Sequence, residues 1–178
     1  YTNIIIYIIF VEMTEINYDF IKSFLSNKKN IVITTHKTPD GDALGSSLSL
    51  YHSLIEKHNV SVIVPNEYPH FLKWLPDNNS IIIYEGNEVD SDLIINAADL
   101  IFCLDFNKLY RVDKMFNIIN KSKAFKIMID HHEEPDNFCD IIISDSGVCS
   151  TAELIYDFLQ QIQCPLSQKI AICLYTGI

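Results

Sequence analysis

The chain has 178 residues, of which 48% are hydrophobic, and its 23 acidic residues outnumber 13 lysines and arginines to give a net charge of -10. This length and apolar share fit a globular domain with a substantial core. The acidic balance excludes a long nonspecific groove for duplex DNA, which needs a basic surface. A small anionic substrate held through metal ions remains compatible with it.

The cysteines and the N-terminal residues bear on the location of the protein. The 5 cysteines include no CxxC pair, so we expect reduced thiols and not a disulfide framework. The apolar run from Ile4 to Val11 is shorter than the ~20 residues that cross a bilayer. We therefore expect a cytoplasmic protein without a membrane partner.

The residues around Met13 suggest where the folded domain starts. Met13 precedes a helical pattern with Asn17 in a capping position. We predict that residues 1–12 are an upstream extension and that residues 13–178 form the domain. An extra edge strand or a docking segment is the alternative for residues 1–12.

Apolar periodicity predicts alternating helices and strands along the rest of the chain. The predicted strands are 31–33, 60–64, 81–84, 101–104, 125–129 and 141–143. The predicted helices are 16–25, 43–58, 90–98, 107–120, 150–161 and 167–175. Uniformly apolar strands that alternate with amphipathic helices indicate an α/β fold, with a mostly parallel sheet and helices on both faces.

Side chains able to bind a metal follow three of the predicted strands. They are His36, Asp40 and Asp42 after the first strand, Asp105 after the fourth, and Asp130, His131 and His132 after the fifth. Because ligands of an open parallel sheet bind beyond the carboxyl ends of its strands, we expect the three groups to meet in space.

The residue types indicate which metal chemistry this edge of the sheet supports. Imidazoles and carboxylates without thiolates suit Mn²⁺, Mg²⁺ or Fe²⁺ better than structural zinc. The number of ligands exceeds the need of one ion. Two ions ~4 Å apart, sharing a carboxylate, would use them and would stabilise displacement at phosphorus.

The loop after the first strand has details that favour this interpretation. Gly41 lets the backbone bend so that both neighbouring carboxylates face the site. Asp42 is predicted to cap the helix that follows, and the small residues Gly45, Ser46 and Ser47 are predicted to leave the helix start open to a phosphate.

Structural interpretations compete with these predictions. The Asp40 to Asp42 segment fits a plain turn before a helix, and His36 alone fits an ordinary loop histidine. The segment from Ser150 to Glu153 fits a capping box better than a phosphate contact.

Four motifs carry a resemblance to a known family. They read THKTPDGDALGSSL, CLDFNKLYRV, MIDHH and GVCSTAELIY, in this order from about residue 31 onwards. In these motifs the chain resembles the N-terminal catalytic domain of the DHH phosphoesterases, and most of all the branch of bacterial nanoRNase and pAp (3'-phosphoadenosine 5'-phosphate) phosphatase.

The resemblance implies a metal ligand set. His36 and Asp40 would bind one ion, Asp42 and His131 would bind the other, and Asp105 would bridge them. The family uses two Mn ions, with Mg or Fe as alternatives.

The resemblance also implies roles for four other residues. Asp130 would orient a histidine, and His132 would contact the scissile phosphate or assist the leaving group. Asn107 and Arg111 match the second motif and would bind substrate, although Arg111 also fits a structural ion pair.

The implied activity is two-metal hydrolysis of short oligoribonucleotides and pAp, and a homodimer is compatible with it. Alternatives are a cyclic-dinucleotide phosphodiesterase, a single-strand exonuclease or a pyrophosphatase of the family, and a non-catalytic metal- or nucleotide-binding module. The chain departs from the family at Ile178, before a GIxxDT aspartate and the substrate-binding domain. We therefore expect an incomplete second metal site, and weak or no activity from these residues alone.

Overall fold

A six-stranded parallel sheet forms the centre of the computed structural model, which describes residues 16–178. The strands are β1 Asn30–Thr35, β2 Asn59–Val64, β3 Ile82–Ile83, β4 Leu100–Leu104, β5 Phe125–Asp130 and β6 Ile141–Ser144. Their order is β3-β2-β1-β4-β5-β6, and every neighbouring pair is parallel. The predicted α/β fold is confirmed, whereas the predicted extension, residues 1–12, lies outside the described residues.

Helices cover both faces of this sheet. They are α1 Tyr18–Phe24, α2 Gly41–Leu54, α3 Glu88–Asn96, α4 Phe116–Lys121, α5 Thr151–Gln161 and α6 Gln168–Gly177. Helices α1, α2, α5 and α6 contribute to one core cluster, which includes Ile31 and Ile33 of β1. Helices α3 and α4 contribute to the other, which includes Val32. The alternation along β1 is the period-two pattern of a strand buried on both faces.

The helix predicted over 107–120 is broken in the structure. A 3₁₀ segment spans Leu109–Met115, and Asp113 within it, at φ 49° and ψ -118°, is a non-helical kink ahead of α4. The loop after β1 contacts this segment through Lys37. The N–H of Lys37 donates to the carbonyl of Arg111 (2.8 Å), and Lys37 Nζ lies 2.8 Å from Asp113 Oδ2. These tertiary contacts replace the hydrogen bonds of a continuous helix.

Helix α2 also ends earlier than predicted, at Leu54 and not near His58. His58 is buried, and its Nδ1 accepts a hydrogen bond from the N–H of Lys29 at 3.2 Å. The chain therefore turns early, which allows Asn59 to pair with Asn30 at the start of β2.

The strand order reverses between β1 and β4, both of which lie in the middle of the sheet. This arrangement leaves a crevice beyond the carboxyl ends of the two strands, where ligands of such sheets bind. Among residues 16–178, no helix has the length and apolar character needed to cross a bilayer.

Candidate metal centre

A cleft of about 250 Å³ opens beyond the carboxyl ends of β1 and β4. Within residues 16–178, ten residues line it: His36, Asp40, Asp42, Asp105, Arg111, His131, His132, Cys149, Ser150 and Gly177. The side chains that the sequence places after three separate strands thus meet at this edge of the sheet. Their convergence follows from the parallel arrangement of the strands.

The loop between β1 and α2 supplies the first group of residues. His36 directly follows β1 and is buried. Asp40 is the N-cap of α2, because its Oδ1 accepts from the N–H of Ala43 at 3.0 Å. The prediction that Asp42 is the cap is therefore wrong, since Asp42 lies within the first turn.

Asp105 lies at the centre of the cleft in an unusual backbone conformation. Its φ is +63°, in the left-handed region that few residues other than glycine adopt, at a cost of about 1 kcal/mol or more. The N–H of Asp105 donates to the carbonyl of Ile129 at 3.1 Å, which ties the residue to β5. Apart from glycine, asparagine and aspartate tolerate this conformation best. The hydrogen bond to β5 holds the Asp105 carboxylate in place just past β4.

The two oxygens of Asp105 lie near different histidines. Oδ2 lies 3.3 Å from Nε2 of His36. Oδ1 lies 3.7 Å from Nε2 of His131 and 3.8 Å from Nδ1 of His132. One carboxylate thus faces two groups of nitrogen ligands.

Two groups of three residues have the spacing of metal ligands. One comprises His36, Asp40 and Asp105, and the other comprises Asp105, His131 and His132, with the ligand atoms of each group within 4.8 Å of one another. Nitrogen and oxygen donors without thiolates suit Mn²⁺, Mg²⁺ or Fe²⁺. The donor set therefore fits two divalent cations that share Asp105.

Asp42 adds a partly buried carboxylate to the cleft. Its two oxygens accept from the N–H groups of Thr151 and Ala152, each at 2.8 Å, and Oδ2 lies 3.7 Å from Nε2 of His131. Burial and the charge of Asp105 raise the pKa of Asp42 to about 7, although these N–H donors and His131 act against the rise. Two carboxylates that repel each other in a poorly hydrated cleft favour a bound cation.

The pKa of His36 reflects competing influences. Burial acts to lower it, but the Asp105 carboxylate and the Lys37 carbonyl, which lies 2.8 Å from Nδ1, hold it above its usual value. The imidazole is thus fixed between two acceptors on opposite sides of its ring.

Asp130 supports His132 and not His131. Its Oδ1 lies 2.7 Å from Nδ1 of His132, and its Oδ2 accepts from the N–H of the same residue at 3.1 Å. Asp130 is fully buried, so this contact fixes the ring orientation of His132 and leaves Nε2 as its free nitrogen.

The two residues predicted to bind substrate lie in different places. Arg111 lines the cleft, with Nη1 3.4 Å from the carbonyl oxygen of Asp105. Asn107 is not among the described residues that line it, and its side-chain amide donates to the carbonyl of Glu133 at 2.6 Å. Asn107 therefore connects the segment after β4 to the loop after β5.

The small residues Gly45, Ser46 and Ser47 of α2 are covered by protein and are not open to a phosphate. A Cβ on Gly45 would lie 2.6 Å from the carbonyl oxygen of Cys173 and 2.8 Å from the nitrogen of Gly177, both in α6. Ser46 and Ser47 are buried, and their hydroxyls donate to the carbonyl of Ala43. The small residues permit close packing of α6, which overturns the sequence prediction.

The start of α5 also contributes to the cleft, which sequence reasoning missed. The predicted cap is present, because Oγ of Ser150 accepts from the N–H of Glu153 at 3.2 Å. The carboxylate of Glu153 accepts in turn from the N–H of Cys149 at 3.1 Å. The capping pattern was visible in the sequence, but it carries no information about which carboxylates the helix start approaches.

Comparisons with solved structures agree with this architecture. An exopolyphosphatase-related protein from Bacteroides fragilis has a similar structure, with a TM-score of 0.83 and 43% sequence identity. The match covers 90% of this chain and 48% of that protein.

Two curated relatives of the chain carry the same name, NrnA. The probable bifunctional oligoribonuclease and PAP phosphatase NrnA of Streptococcus mutans is 32% identical over 149 residues, and the NrnA of Thermus thermophilus is 31% identical over 150 residues. Each match covers 83% of this chain, which spans 44% and 42% of the length of these relatives.

One family model covers most of the chain and all of the residues that line the cleft. The model of the DHH family, N-terminal domain, matches residues 30–178. The chain therefore belongs to the DHH family.

Proposed function

We propose that this chain forms the metal-binding part of a phosphoesterase that hydrolyses short oligoribonucleotides and pAp. The observation that carries the proposal is the Asp105 carboxylate, whose two oxygens face two separate groups of ligands. The substrates are suggested by the names of the NrnA relatives, which are 28–32% identical to the chain.

Five residues are proposed to hold two divalent cations, with Mn²⁺ as the first choice and Mg²⁺ or Fe²⁺ as alternatives. His36 and Asp40 would hold one ion, Asp42 and His131 the other, and Asp105 both. When bound, such ions act as Lewis acids that stabilise charge developing on a phosphoryl group.

Residues of the chain itself would bind and orient the substrate. Arg111 presents a guanidinium to the cleft, where it would pair with phosphate oxygens. Asp130 holds Nδ1 of His132, so that Nε2 would face the substrate and donate a proton to the leaving oxygen. The cleft of about 250 Å³ has room for a terminal phosphate and its neighbours.

The test is a hydrolysis panel with Mn²⁺ on the protein expressed from its complete gene. We expect release of phosphate from pAp and cleavage of a linear dinucleotide, with little activity on a cyclic dinucleotide. Preference for the cyclic substrate would favour the phosphodiesterase alternative, and Mn²⁺ binding without hydrolysis of any substrate would favour a non-catalytic module.

The variant Asp105→Asn provides the matching test of the site. We expect activity to fall by roughly a hundredfold or more, because a neutral amide would replace the carboxylate proposed to bind both ions. Asp99→Asn is the control, since Asp99 lies at the other end of the sheet and an amide oxygen can still accept from the N–H of Asn30. Unchanged phosphate release from Asp105→Asn would contradict the proposal.

A further inference from the structure

A single threonine contacts two carboxylates of the cleft, Asp42 and Asp105. Thr151, the first residue of α5, is fully buried. Its N–H donates to Oδ2 of Asp42 at 2.8 Å, and its hydroxyl lies 2.9 Å from Oδ1 of Asp105. Because an ionised carboxylate only accepts hydrogen bonds, the hydroxyl is the donor in the second contact.

The contacts to the two carboxylates depend on different parts of the threonine. Asp42 is held by backbone N–H groups of Thr151 and Ala152, which any side chain other than proline at position 151 would leave in place. The contact of Thr151 with Asp105 is made by the side-chain hydroxyl alone. A substitution at position 151 can therefore remove one contact and keep the other.

The hydroxyl restricts rotation of the Asp105 carboxylate. With Oδ1 held by Thr151, Oδ2 lies on the side of His36, at 3.3 Å from Nε2. Oδ1 remains within 3.8 Å of a ring nitrogen in each of His131 and His132. A carboxylate without this donor would be free to turn both oxygens toward one group of ligands.

We propose that the Thr151 hydroxyl is a positioning group that orients Asp105 so that each of its oxygens serves one of two divalent cations. The inference rests on the proposed function for the existence of the cation pair, and it adds a residue outside the ligand set. Groups that hydrogen-bond to metal-binding carboxylates commonly change metal affinity by about 10- to 100-fold when they are removed.

The experiment uses the protein expressed from its complete gene. It compares Mn²⁺ binding by wild type, Thr151→Val and Thr151→Ser, using calorimetric titration and electron paramagnetic resonance. Valine keeps the shape of threonine without the hydroxyl, so we expect about 10- to 100-fold weaker binding and loss of the spin-coupled signal of a manganese pair. Serine keeps the hydroxyl and should retain affinity within about threefold, together with the coupled signal.

A matched control removes another buried hydroxyl near the same end of the sheet. The Thr34 hydroxyl makes no hydrogen bond to any residue that the structure describes. Thr34→Val should therefore bind Mn²⁺ as wild type does. If Thr151→Val does not fold, Thr151→Ala against Thr151→Ser provides the same comparison, because these two variants differ only by the hydroxyl.

The possible failures are distinguishable. Equal Mn²⁺ affinity and an unchanged coupled signal in wild type and Thr151→Val would overturn this inference and leave the proposed function standing. A serine variant as impaired as the valine variant would also overturn it, because the retained hydroxyl would then not suffice to preserve the Mn²⁺ site. A wild-type protein that binds no Mn²⁺ would overturn the proposed function and this inference together.

Discussion

Replacing Gly45 with alanine should destabilise the protein, although alanine is the better helix former. The new Cβ would lie 2.6 Å from the carbonyl oxygen of Cys173 and 2.8 Å from the nitrogen of Gly177. Ordinary contacts of this kind begin at about 3.4 Å. Both neighbours are backbone atoms, so α6 would have to move away from α2 as a unit.

The magnitude follows from two opposing contributions. Alanine gains about 1 kcal/mol of helix propensity over glycine. Overpacking costs about 1–3 kcal/mol, and the upper end, about 3 kcal/mol, applies here because backbone neighbours cannot change rotamer. We expect the free energy of unfolding to fall by about 2 kcal/mol. For a domain of this size, that corresponds to a Tm lower by about 4–8 °C.

The assay is urea and thermal denaturation followed by circular dichroism. Gly41→Ala is the control, because it makes the same change in the same helix and its Cβ would meet only the carbonyl oxygen of Thr176, at 3.2 Å. We expect this control to lie within about 0.5 kcal/mol of wild type. A Gly45→Ala protein as stable as wild type, or a control that loses as much, would refute the reasoning.

Two further predictions concern stability. Thr38→Asn should raise the free energy of unfolding by about 0.5–1 kcal/mol in urea denaturation, because the β-branched Thr38 has a φ of 58°, which asparagine adopts more readily; an unchanged or lower stability would argue against strain at this position. Burial, with added effects of Lys57 and Lys29, lowers the pKa of His58 below its usual value of about 6.5. Protonation then favours the unfolded chain, so the contribution of His58 is complete above about pH 6.5 and is lost as the pH falls through its folded-state pKa. His58→Asn should flatten this part of the pH dependence of unfolding, and an identical slope in both proteins would count against the assignment.

The sequence alone was enough to predict the fold class and the residues at the strand ends. Uniformly apolar strands alternating with helices predicted the parallel sheet, and the sheet is present with all neighbouring strands parallel. Once the strands are parallel, residues such as His36, Asp105 and His131 must share one edge. This conclusion needed no knowledge of side-chain contacts, because strand direction and strand ends are local properties of the sequence.

The support around those residues was decided by tertiary structure. Thr151 contacts Asp42 and Asp105, which lie 109 and 46 positions earlier in the chain, and no local pattern encodes such a distance. In the sequence, the start of α5 matched a capping box, and the structure has this cap in the first turn. The pattern does not indicate which residues that turn contacts.

The small residues of α2 show the same limit. Gly45 fits an open helix start and a tightly packed one equally well, because a missing side chain leaves space without specifying what fills it. The docking of α6 resolved the choice, since the Gly45 backbone lies against Cys173 and Gly177. Local periodicity thus determined which elements form and at which edge of the sheet the cleft residues lie, whereas long-range packing determined which neighbours hold those residues in position.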